Sequence, residues 1–97
     1  MSRTLLSVRR RIERPGLPLY DIAWTKFRAA AVAEGAKAWR FRSSADDELY
    51  LEFLEFAGNC DPRGSVDLKK AMGDLAALAD GDVEEWVDAN INDKVEQ

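Results

Sequence analysis

From Glu48 to Phe56 the chain reads as a strand that is apolar on both faces. Leu49, Leu51 and Phe53 fall on one side; Tyr50, Leu54 and Phe56 fall on the other, interrupted by Glu52. Side chains alternate across a strand, so two apolar faces require cover on both sides of the sheet. A chain of 97 residues has little material for that. It holds one domain, expected to span residues 1–97 with a structured core over 4–91 and a polar tail over 92–97.

The segments around this strand supply one layer of cover. Thr4 to Glu13 alternates, with Leu6, Val8 and Ile12 on one face and Ser7, Arg9 and Arg11 on the other. Arg10 falls on the apolar face, which marks a bulge or the wet end of the strand. Arg14-Pro15-Gly16-Leu17-Pro18 then breaks the strand, and Pro18 suits the first turn of a helix. Tyr20, Ala23, Trp24, Phe27 and Ala31 follow helical spacing up to Gly35, a natural stop. Ala38 to Ser43 alternates again, Trp39 and Phe41 against Arg40 and Arg42, and a short polar turn leads into Glu48–Phe56 as a hairpin. Ser65 or Asp61 can cap a second helix carrying Leu68, Met72, Leu75, Ala76 and Ala79. Val83 to Ile91 fits both a strand and a helical face. The strand is favoured because it completes the order β-α-β-β-α-β.

That order predicts an α+β, ferredoxin-like fold: a four-stranded antiparallel sheet with two helices on one face. The other face is bare. Since Glu48–Phe56 is apolar on both sides, the bare face is expected to meet a second copy of the chain, with Leu54 among the interface residues.

Composition narrows the function. The net charge of −4 argues against general nucleic-acid binding, which draws on Lys and Arg. No apolar run reaches membrane-spanning length, and a cytoplasmic location is expected. There is no histidine and one cysteine, Cys60, so a Cys–His nucleophile is impossible and an intrachain disulfide is too. Asn59, Asp61 and Asp67 lack the ladder of a calcium loop. No metal site and no cofactor are expected.

Two groups of residues carry chemical interest. Trp24, Phe27, Trp39 and Phe41 either wall a cavity for a flat ligand or simply form core. Arg9, Arg11, Arg40 and Arg42 are expected on one sheet face, where they pair with carboxylates or hold an organic anion. The candidate ligand-binding residues are Arg40, Arg42, Arg9, Trp24, Trp39 and Tyr50, and the ligand class is a small organic anion or a polar aromatic. Tyr50, Leu54 and Phe56 also suggest an RNA-stacking platform, but Glu52 and Glu55 sit where basic residues belong.

The element order, the aromatic hairpin from Trp39-Arg40-Phe41-Arg42 to Glu52-Phe53-Leu54-Glu55-Phe56, and the late Glu84-Glu85-Trp86 resemble the dimeric α/β-barrel superfamily over Thr4 to Ile91. Antibiotic-biosynthesis-monooxygenase-like proteins are its best-known group. The resemblance implies two sheets packed face to face and a ligand cavity between sheet and helices in each subunit. It also implies activities that range from cofactor-free oxidation of phenols to haem degradation. Haem-binding members typically need a histidine, which this chain lacks, and no oxygenase catalytic set matches it residue by residue. A homodimeric small-molecule-binding protein with oxygenase-like chemistry is one expectation. A non-enzymatic dimeric interaction or regulatory domain is the other, and an open cavity between sheet and helices separates them.

Overall fold

The computed structural model describes residues 2–89. Strands β1 (Arg3–Arg11), β2 (Lys37–Arg42), β3 (Leu49–Ala57) and β4 (Gly81–Val87) alternate with helices α1 (Leu17–Ala33) and α2 (Val66–Leu78) as β-α-β-β-α-β. All pairings are antiparallel and the sheet order is β2-β3-β1-β4. This is the ferredoxin-like plan. The ambiguous last segment is a strand, shifted to begin at Gly81; Asn90, Ile91 and the expected tail over 92–97 lie outside the described residues.

Local chemistry sets the helix ends. Pro18 sits in the first turn of α1, where its missing N–H costs nothing. Gly35 ends that helix at φ +80°, a conformation a Cβ disfavours, and donates to the Val32 carbonyl at 3.0 Å. Ser65 caps α2, its Oγ accepting from the Leu68 amide, while Asp61 caps the short 3-10 turn at Pro62–Gly64.

Register decides which side chains share a face. Leu6 lies opposite Leu54, Val8 opposite Glu52, and Ala38 opposite Leu54. The even-numbered residues of β1, β2 and β3 therefore face the helices, and the odd-numbered ones face away. Tyr20, Trp24, Phe27, Ala31, Leu68 and Leu75 descend on Leu6, Tyr50, Leu54 and Phe56 to make the core. Each large apolar side chain buried there contributes about 1.5–3 kcal/mol. Leu54 is 3% exposed beneath the helices, so it is a core residue and not the interface position expected of it. The same register removes the RNA-stacking platform: Tyr50, Leu54 and Phe56 are all covered.

Cover stops short of β4. Val83 and Val87 lie on its helix-facing side, yet they are 62% and 60% exposed. The strand joins the sheet by a close approach at Gly81. A Cβ there would press on Val8 Cγ1 and lie 2.9 Å from Arg10 Nη1. Gly81→Ala is expected to cost about 1–3 kcal/mol by overpacking. Urea unfolding should show a lower midpoint at unchanged slope; a midpoint at the wild-type value would mean that β4 relaxes freely.

Candidate functional site

The two residues that break the apolar pattern of the inner face meet each other. Arg10 and Glu52 stand diagonally across β1 and β3, and Arg10 Nε donates to Glu52 Oε1 at 2.9 Å. Their side chains are 7% and 4% exposed. Arg10 therefore marks neither a bulge nor a wet strand end; β1 is regular through it. Buried charge at this depth persists only with partners, and both residues have more than one. Tyr20 Oη, on α1, donates to Glu52 Oε2 at 2.7 Å, and Arg10 Nη1 donates to the Ala79 carbonyl just past α2 at 2.6 Å. Burial, followed by the Glu52 charge, pushes the Tyr20 phenol well above its ordinary value, while Arg40 opposes the shift. Tyr20 therefore remains a neutral donor.

Arg10 and Glu52 of this network form the polar wall of a cavity of about 310 Å³ between the sheet and α2. Leu6, Leu54, Phe27 and Leu75 supply apolar walls. Met72 and Gly73 of α2 line it as well, and a Cβ at Gly73 would meet nothing within 4 Å. A glycine inside a helix costs about 1 kcal/mol relative to alanine; here it leaves room beside the cavity. Ala76, also lining it, and Gly73 are exposed, so the opening lies along α2 toward exposed Val83 of β4. An apolar pocket with a few convergent polar groups is the usual form of a small-molecule site.

A second cluster lies on the inner face of β2. The Arg40 guanidinium stands over the rings of Tyr20, Trp24 and Tyr50 at 5.0, 5.4 and 5.9 Å, and Nη2 pairs with Asp21 at 3.0 Å. Among the described residues its Nη1 is buried without a hydrogen-bond partner. The rings are its main company.

The expected site residues divide between these places. Arg40, Trp24 and Tyr50 come together as that cluster, and Arg42 lies on the same side but exposed, at the hairpin end. Arg9 and Trp39 are on the opposite face. The expectation of four arginines on one face fails because Arg9 and Arg11 pair opposite Leu51 and Leu49, whereas Arg40 and Arg42 pair opposite Glu52 and Tyr50. The aromatic group splits the same way. Trp39 stacks on Phe53 at 5.3 Å on the outer face, and of the four aromatics only Phe27 lines the cavity. The residues missed were Arg10, Glu52, Tyr20 and Gly73. Two opposite charges breaking the same face of adjacent strands were the available signal.

Elsewhere the acids are occupied or scattered. Asp61 clasps Arg63, which holds its carboxyl below the usual range, and Cys60 beside it is exposed. Among the described residues no group of three or more His, Cys, Asp or Glu is arranged to hold a metal ion, and no helix is long and apolar enough to cross a membrane.

No family model matches the sequence. No curated protein matches it either. Solved structures do. A conserved protein of unknown function from Bacteroides thetaiotaomicron superposes with a TM-score of 0.76 at 17% identity, over 90% of this chain and 98% of that one. SnoaB, a cofactor-independent oxygenase from Streptomyces nogalater, superposes at 0.70 and 11% identity, over 89% and 90%. An antibiotic biosynthesis monooxygenase superposes at 0.64 and 10% identity, over 91% and 96%. The chain shares its ferredoxin-like fold with these proteins. At these identities the likeness extends to architecture and no further.

The ion pair makes a direct prediction. Glu52→Leu alone strands a buried guanidinium and is expected to cost about 3–5 kcal/mol, whereas Arg10→Met with Glu52→Leu should recover most of that loss. Chemical denaturation of the two single variants and the double variant checks it. Losses that simply add would show that the pair is not coupled.

Proposed function

We propose that this chain is a homodimeric small-molecule-binding protein that takes a small organic anion or polar aromatic into the cavity between sheet and α2. The observation that carries the reading is the cavity itself: about 310 Å³, walled by Leu6, Phe27, Leu54 and Leu75, with Arg10 and Glu52 as polar contacts. A pure interaction domain has no use for such a space, and its lining residues would gain by closing it. The oxygenase name of the Streptomyces protein with this fold supports oxygenase-like chemistry as the first activity to test. A cytoplasmic location belongs to the same reading, and the free thiol of Cys60 suits it.

The dimer is the second part of the proposal. The outer sheet face presents Phe41 and Trp86, 60% and 52% exposed, around half-buried Trp39, Leu51 and Phe53. A contiguous apolar patch of this kind marks an interaction surface. Arg9 of β1 and the acids Asp82 and Glu84 of β4 flank it, offering a second copy charges of both signs. A second chain packed there would give β3 the cover on both faces that its sequence demands.

Light scattering is expected to give about twice the 10.9 kDa chain mass at micromolar concentration. Leu51→Glu should return the monomer with its circular dichroism intact, because a carboxylate in an apolar interface lacks a partner. A wild-type monomer would end the dimer reading. For the cavity, a thermal-shift panel of aromatic acids, phenols and ketones should stabilise the wild type. Gly73→Leu should melt higher than wild type by the equivalent of about 1 kcal/mol and lose the response. Ligand stabilisation that persists unchanged in Gly73→Leu would place the site elsewhere.

A further inference from the structure

The two halves of α2 are held differently. Its entry is pinned. Pro62 is fully buried just before it, and Arg63 pairs with Asp61 and with Glu85 of β4 while lying over the Phe56 ring at 5.2 Å. Ser65 caps the first turn, and Leu68 is 0% exposed. From Gly73 to Leu78, by contrast, the helix buries one large side chain, Leu75. Among the described residues, one side-chain hydrogen bond fastens its end, from Arg10 Nη1 to the Ala79 carbonyl at 2.6 Å.

The half that is held less is also the half that roofs the cavity, through Gly73, Leu75 and Ala76. Glycine is the poorest helix former after proline, so the helix gives way at Gly73 more readily than at its neighbours. We infer that the segment from Gly73 to Ala79 is the door of this cavity. It opens as a unit about Gly73, and the Arg10–Ala79 hydrogen bond is its latch. Its role in binding rests on the cavity being the ligand site, as proposed above.

A local opening of this kind costs less than unfolding the domain. It uncovers Leu75 and releases the Ala79 carbonyl to water, while Tyr20, Trp24 and Phe27 stay covered by α1 and Leu68 stays in place. Arg10 keeps Glu52, so no charge is stranded. β4 resumes at Gly81, whose backbone approaches Val8 and Arg10 too closely for a Cβ, so the motion is confined to the residues before it. The latch also joins door to wall, because the guanidinium that fastens Ala79 is the one that lines the cavity with Glu52. A ligand that draws on that guanidinium shifts the door's equilibrium by as much as it prefers one state over the other.

Native-state hydrogen exchange of the full chain, read amide by amide, tests this. The amides of Leu75 to Ala79 are expected to share one opening equilibrium and to exchange about tenfold or more faster than those of Trp24 to Ala31 in α1. Arg10→Met with Glu52→Gln removes the latch, keeps an acceptor for Tyr20 and strands no charge. It should speed exchange of Leu75 to Ala79 about tenfold relative to α1, the worth of one hydrogen bond from a charged donor. Gly73→Ala should slow it about fivefold. For access, Leu54→Cys in a Cys60→Ser background puts a thiol on the sheet side of the cavity, and its labelling by 5,5′-dithiobis(2-nitrobenzoate) should quicken with the latch removed as exchange does. Exchange that grades residue by residue toward Ala79 is fraying of the helix end, and exchange that keeps step with α1 in both variants is global unfolding; either overturns the inference. Labelling indifferent to the latch overturns it as well, and if Leu54→Cys does not fold, exchange decides alone. None of these measurements uses a ligand, so their failure leaves the cavity reading to the thermal-shift panel.

Discussion

The buried pair of Arg10 and Glu52 is the constraint around which the molecule is arranged. Two charges removed from water in a small domain are tolerated only when nearly every remaining polar valence is met. Meeting them ties distant parts of the chain together. Arg10 brings β1 to β3 through Glu52 and reaches the segment after α2 through the Ala79 carbonyl. Glu52 draws in α1 through Tyr20. Gly81 exists as a glycine at the point where β4 must lie against Val8 and this guanidinium. A wholly apolar floor would stabilise the core as well or better, but it would fix neither the hold on the end of α2 nor a polar wall for the space beside it.

The remaining features follow from what that network covers and leaves open. α1 packs closely, placing Tyr20, Trp24 and Phe27 at 5% exposure or less. α2 buries Leu68 and Leu75 but leaves Gly73 and Ala76 exposed, and β4 stays uncovered on its helix side. The gap between them is the cavity. On the opposite side the same strands offer Trp39, Phe41, Leu51 and Phe53 to whatever packs there. The two halves of the proposed function thus occupy the two faces of one sheet. β3 serves both, with Glu52 and Leu54 inward and Leu51 and Phe53 outward.

The fold was legible in the chain because its signals are local. Alternation marked the strands, Pro18 and Gly35 bounded α1, and the ambiguous segment at Val83 was resolved by topology: three strands and two helices leave a sheet that a fourth strand completes. The site was less legible because it depends on pairing. Arg9 and Arg10 look alike in sequence, and only register shows that one is exposed opposite Leu51 while the other is buried beside Glu52. Trp24 and Trp39 are equally aromatic, yet one is core and the other outer face. Gly73 carried no visible signal, since a mid-helix glycine reads only as a weak helix former until the space beside it is seen. Arg10 and Glu52 did carry one. Each breaks the apolar pattern of its own strand, and two opposite charges doing so on adjacent strands locate the polar wall.

Shared architecture with SnoaB and an antibiotic biosynthesis monooxygenase fixes how the layers are stacked. What a protein of this fold does depends on the groups that reach its interior. Here those groups are one guanidinium and the carboxylate that neutralises it, against hydrocarbon, with the Tyr20 phenol behind them. The most direct measurement is therefore positional: intermolecular nuclear Overhauser effects between methyl-labelled protein and the aromatic compound that stabilises it most in the thermal-shift panel. Contacts to the methyls of Leu54, Leu75 and Met72 are the predicted result. Contacts confined to Leu51 and Leu49 on the outer face would contradict the account, because the ligand would then occupy the surface assigned to the second chain.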